Sequence, residues 1–145
     1  MRVDFYQLSH DPAPAAIAVL ARKVRDAGEK LLVVADELEL LEAISESLWT
    51  SKAAEFVANG IAGGEHDARQ PILLSDEVDA ANGAKFLLLA DGQWRDPGEG
   101  FSRVLYLFDD ATIDMARQTW KSLGANETLE RKFWKQQDGR WVEGP

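Results

Sequence analysis

The block Ala116-Arg117-Gln118-Thr119-Trp120-Lys121 is where this sequence comes nearest to recognition chemistry. Arg117 and Lys121 are four residues apart, so on a helix their side chains stand on one face, a single turn apart. A guanidinium in that position can take a carboxylate bidentately, and an apolar or aromatic dip beside it can take a terminal side chain. The ligand that needs both is an acidic peptide with a hydrophobic end. Trp120 lies between the two cations in sequence, and it is also in register with Ile113, Ala116 and Leu123. Spacing alone therefore leaves it open as pocket wall or as core. The same cluster could stack the bases of single-stranded nucleic acid, a reading the acidity of the rest of the chain disfavours.

Other residue types carry less. Asp36, Asp91 and Asp109-Asp110 each follow an apolar, strand-like run, and α/β enzymes hold their working groups at such strand ends. Together these carboxylates could bind Mg²⁺ for phosphoryl transfer, or accept a phosphoryl group as a receiver domain does. A receiver, however, needs an acidic pair after its first strand, where this chain has Ser9-His10, and a lysine after its last, where Asp109 stands. The simpler reading is that these aspartates cap helices and make turns. Gly60-Ile61-Ala62-Gly63-Gly64 has the glycine content of a phosphate loop, but no Gly-Lys-Ser/Thr follows it and it matches no dinucleotide fingerprint. His10 and His66 each have an aspartate neighbour and read as loop residues. No nucleophile–base–orienter set can be assembled. Having no cysteine, the chain has no thiolate nucleophile, disulfide or thiolate-bound zinc. The expectation is a protein without catalytic residues, metal or cofactor.

The elements that must position these residues follow from periodicity. Val3–Leu8 reads as a strand, and the apolar residues Ile17, Leu20, Val24 and Ala27 recur at helical spacing between Ala15 and Ala27, with Gly28 as the stop. Leu31–Ala35 is a continuous apolar run, the mark of a strand buried on both faces. Asp36 is a plausible cap for a second helix whose stripe is Leu38, Leu41, Ile44 and Leu48. Phe56-Val57, Ile72–Leu74, Phe86–Ala90 and Phe101–Phe108 read as further strands, and 60–64 as glycine-dominated loop. Asp109-Asp110 opens a last helix ended by Gly124, and residues 128–135 and 140–142 flank a tight reversal at Gln136–Gly139. Strand–helix alternation of this kind defines an α/β layer fold.

The chain has 145 residues, 46% of them hydrophobic, and a net charge of −9. That length suits one domain over residues 1–145. No apolar run approaches the ~20 residues of a membrane span, and the first residues lack a signal-peptide core; a soluble, cytoplasmic protein is expected. The charge is uneven: residues 1–116 hold 10 Lys+Arg against 21 Asp+Glu, and residues 117–145 hold 6 against 4. An acidic body discourages contact with a phosphate backbone, and a basic end can select an acidic partner.

The order of the motifs resembles a known family, the chi subunit of bacterial DNA polymerase III holoenzyme. The points of likeness are Phe5-Tyr6-Gln7-Leu8, the strand ending at Asp36, Leu48-Trp49 ahead of Phe56-Val57, and Pro71-Ile72-Leu73-Leu74. They continue with Arg103–Phe108, the Ala116–Lys121 block, and Trp134–Gly139 with Trp141. The resemblance implies a Rossmann-like three-layer domain, a central mostly parallel (mixed) sheet flanked by helices, acting as a non-catalytic replisome adaptor. In that family a pocket binds the acidic C-terminal tail, ending in Pro-Phe, of single-stranded DNA-binding protein and so links it to the clamp loader. The corresponding residues here are Arg117, Trp120 and Lys121, with Tyr106 and Phe108 of the preceding strand near the pocket. A second partner surface corresponds to Trp49 and Phe56, facing a psi subunit, another clamp-loader component or a helicase. Where many chi proteins continue with Pro-His, this chain has Ala58-Asn59, which leaves the identity of that partner open.

Overall fold

Arg2–Gln7 forms the first strand, β1, in a computed structural model that describes residues 1–9, 12–50, 58–137 and 140–144. Helix α1 (Ala13–Asp26) and strand β2 (Leu31–Val34) follow, then α2 (Leu38–Thr50) and β3 (Asn59–Ile61). Next come β4 (Ile72–Ser75), β5 (Phe86–Leu89), β6 (Arg103–Phe108), α3 (Ile113–Leu123), β7 (Glu130–Gln137) and β8 (Arg140–Glu143). The strands make one eight-stranded sheet in the order β3-β4-β2-β5-β6-β1-β7-β8. All its pairings are parallel except β7 with β8. It is the mixed, mostly parallel sheet that the family resemblance implies, in the α/β class that the alternation of elements predicts.

Burial explains the sequence patterns. β2, β4 and β5 are covered on both faces, so they are apolar at nearly every position. Helices α1 and α2 cover one face through Ile17, Leu20, Leu41, Ile44 and Leu48, packed on Val33, Leu88 and Leu105. On the other face α3 covers Val3, Phe5, Tyr106 and Phe108, and Trp94 and Phe101 from the connections complete that layer.

Several boundaries depart from the sequence reading. Gly28 does close α1, with φ +82°: the N–H of Gly28 bonds to the Arg25 carbonyl at 2.8 Å, and that of Glu29 to the Val24 carbonyl at 3.1 Å. Asp36 does not act as a cap for α2; its carboxylate accepts from Arg95 Nη2 at 2.7 Å. Leu38 falls off the buried stripe and is 56% exposed, because it begins the helix at its outer end. The glycine-dominated segment contains a strand after all. Asn59 is buried and takes the Ser45 hydroxyl at 2.6 Å, and Gly60 lies where a Cβ would meet the Gln70 side chain at 2.8 Å. The strand proposed at Phe56-Val57 and the turn residues Asp138-Gly139 lie outside the described residues; the hairpin itself is present as the β7–β8 pair.

Candidate functional site

Helix α3 is anchored at its start by Asp109, whose Oδ1 accepts the N–H groups of Ala111 and Thr112 at 3.0 and 3.2 Å. Ala116 and Thr119 face the sheet and are buried, while Ile113, Trp120 and Leu123 are half-buried beside them. Asp114, Arg117 and Lys121 point outward. The helix sits against the sheet so as to leave a cleft of about 320 Å³ between itself and the ends of β6, β1 and β7. Its floor and walls are Phe5, Phe108, Ile113, Trp120 and Phe133, with Gln7 the polar lining from the sheet, and Arg117 and Lys121 stand at its rim.

The walls are held in place by ring contacts. Phe5 meets Trp120 edge-on at 5.0 Å and Phe108 edge-on at 6.5 Å, and Phe108 lies 6.3 Å from Phe133. Arg131 of β7 places its guanidinium 4.3 Å over the Trp120 ring and donates from Nη1 to the Trp120 carbonyl at 2.6 Å. Gly124 makes room for it, since a Cβ there would approach the guanidinium to 3.1 Å. Gly124 has ordinary helical φ, so close approach rather than a left-handed turn accounts for it. The rim cations keep their charge available. Arg117 is 70% exposed, and its ion pair with Asp114 at 3.8 Å is long and solvated. Lys121 makes no ion pair among the described residues. Lys121 lies in the last turn of α3, where the helix dipole favours positive charge.

Of the residues singled out in the sequence, Arg117, Trp120, Lys121 and Phe108 converge on this cleft. Trp120 is both of its alternatives: part of the second core layer and a wall of the cleft. Tyr106 does not line it. It lies two residues deeper on β6, fully buried against Phe5 and Trp94, and donates its hydroxyl to the Gly92 carbonyl at 2.7 Å. That burial raises the hydroxyl's pKa above its ordinary value. Trp49 is 48% exposed on α2, the helix of the opposite face, and Phe56 lies outside the described residues. The sequence reading missed Phe5, Gln7 and Phe133 as lining. Their signal is the sheet register, which sets Gln7 beside Phe108 and Phe5 beside Phe133, and pairing between such distant parts of the chain cannot be read from local spacing.

The competing chemistries find their groups already engaged. Asp91 accepts from Arg95 at 2.9 and 2.8 Å, and the same guanidinium reaches Asp36, so one arginine bridges both carboxylates. Burial works to raise the Asp91 pKa, but the Arg95 hydrogen bonds and two backbone N–H donors outweigh it and hold the carboxyl below its ordinary value. Asp109 is occupied at the start of α3. These residues border a crevice of about 350 Å³ at the strand ends, the usual α/β ligand position. No cluster of three or more potential metal ligands occurs among the described residues. The amides of Gly63 and Gly64, which a phosphate loop would offer to its ligand, bind the Asp67 carboxylate at 2.9 and 3.1 Å. His66 is exposed and His10 lies outside the described residues. No described helix is long and apolar enough to cross a membrane.

Fold and cleft together define an α/β domain with a cavity under a helix on one sheet face, floored by aromatics and rimmed by cations. The family is explicit in the sequence: a model of the DNA polymerase III chi subunit, HolC, matches residues 1–130. The chain belongs to that family and is an accessory subunit of the replication machinery. A search of curated proteins gave no significant match.

Proposed function

We propose that this chain is a non-catalytic adaptor that captures the acidic C-terminal tail of single-stranded DNA-binding protein and links it to the clamp loader. The observation that carries the reading is the cleft: an aromatic floor able to take a terminal Phe, with Arg117 and Lys121 at its rim for carboxylates. A net charge of −9 supports indirect rather than direct contact with DNA. A second link runs through Trp49 and Phe56, to a psi subunit, another clamp-loader component or a helicase. The whole of residues 1–145 acts as one domain, in the cytoplasm where the replisome works.

Titration with a peptide ending in Asp-Pro-Phe tests the cleft. Binding is expected below millimolar concentration and weakens above physiological salt. Arg117→Glu abolishes it with the melting temperature unchanged, since the side chain is exposed. Deleting the terminal Phe removes a buried aromatic worth about 2 kcal/mol, roughly a 30-fold loss. Wild-type protein that ignores the peptide at submillimolar concentration refutes the reading. For the second surface, Trp49→Asp is expected to leave peptide binding intact and reduce co-purification of clamp-loader subunits.

A further inference from the structure

The family match ends at residue 130, yet the strand beyond it builds part of the cleft. Side chains along β7 alternate between faces: Trp134 stacks on Tyr6 on the α1 side, whereas Phe133 lines the cleft. Lys135 has the parity of Phe133. The register sets Lys135 directly beside Gln7, and Gln7 beside Phe108, both of which line the cleft. Neighbouring strands are roughly 4.8 Å apart, so Lys135 stands one strand from Gln7 and two residues along β7 from Phe133, on the same side of the sheet. It is exposed and in no ion pair among the described residues. Val142, its partner on β8, is exposed as well.

Among the described side chains of this ribbon the carboxylates lie on one face, together with Lys132, and the only charges on the cleft face are cations. Arg131 and Lys135 share the cleft side, while the carboxylates Glu130 and Glu143 fall with Trp134 on the other, Glu143 being its direct cross-strand partner. Two other directions out of the cleft carry carboxylates, those of Asp36 and Asp91 shared with Arg95. Along α3 toward its start lie Asp114, Asp110 and Asp109, and past the strand ends lies the crevice bordered by Asp36 and Asp91. We propose that the acidic residues preceding the hydrophobic end of the bound tail leave the cleft across the β7–β8 ribbon, where Lys135 takes a carboxylate. The path rests on the cleft being the tail site, and it extends that site beyond the helix that carries Arg117.

Two peptides ending in Pro-Phe separate the claims, one with three aspartates before the proline and one with asparagines in their place. Lys135→Glu should weaken the aspartate peptide at least fivefold and the asparagine peptide less than twofold, and Lys135→Arg should bind as wild type. Lys132→Glu makes the same charge change on the opposite face and should weaken the aspartate peptide less than Lys135→Glu does. If Arg117→Glu abolishes binding while Lys135→Glu matches wild type, or if Lys132→Glu and Lys135→Glu act equally, the ribbon path is wrong and the cleft stands. If wild-type protein binds neither peptide, the tail site itself fails and the path with it.

Discussion

Asp4 is a carboxylate with no solvent exposure in the middle of β1, a position normally reserved for an apolar side chain. Four donors meet it. Its Oδ1 accepts Arg2 Nε and Nη2 at 3.0 and 2.8 Å and Trp134 Nε1 at 2.9 Å, and its Oδ2 accepts Arg103 Nε at 2.6 Å. Arg103 also donates to the Tyr6 hydroxyl at 3.2 Å. The desolvation of the anion is offset by these bonds, which tie β6, β1 and β7 together from the face opposite the cleft. Asp4→Asn replaces an acceptor by an amide N–H facing a guanidinium and is expected to cost about 3 kcal/mol, read as a lower urea midpoint. Asp4→Asn should leave peptide affinity nearly unchanged, because the cluster and the cleft occupy different faces. Loss of binding without loss of stability would contradict that separation. In the sequence Asp4 is only a polar residue in an alternating strand; the partners that explain it come from residues 2, 103 and 134.

Two glycines show how differently one residue type can hold an element. Gly28 has φ +82° and nothing within 4 Å of a Cβ, so Gly28→Ala should cost only the left-handed backbone, about 1 kcal/mol. Gly92 has a similar φ of +77°, but its Cβ would come within 2.5 Å of Thr112, and its carbonyl receives the buried Tyr106 hydroxyl. Gly92→Ala should cost at least ~2 kcal/mol, strain and displacement acting together. It should also disturb the start of α3, where Thr112 binds Asp109. Equal melting-temperature losses for the two variants would show that steric approach at Gly92 is relieved for free. Such elements are also where the sequence is most and least informative. The α1 stop and the α2 stripe from Leu41 to Leu48 follow from 3.6-residue spacing and a glycine. Strand β3 does not, because its stability comes from Asn59 with Ser45 and from Gln70 packing close over Gly60, contacts made by residues well separated in sequence.

At the scale of the molecule, the α/β class was legible from alternation, and the cations and Trp120 of the cleft from one helical turn. The remaining walls were not, since they require β1 to lie between β6 and β7. The charge division acquires a spatial meaning in this arrangement. The basic segment 117–145 comprises most of α3 and the β7–β8 ribbon, while the other 116 residues carry 21 acidic against 10 basic groups. A domain of this size has a radius of gyration of roughly 15 Å. At 0.01 M salt the Debye length is about 30 Å, so an acidic peptide approaching the cleft feels the whole anionic body. At 0.15 M it is about 8 Å, and only charges close to the cleft remain, Arg117, Lys121 and Lys135 among them. The association rate of the aspartate peptide should therefore rise between 0.01 and 0.15 M salt as repulsion from the body is screened. It should fall above that as the local attraction is screened in turn, while the asparagine peptide shows neither limb. Stopped-flow Trp fluorescence across that range tests it. A monotonic fall from 0.01 M upward would mean that the body's charge is not felt at the cleft, and that the basic end acts on its partner alone.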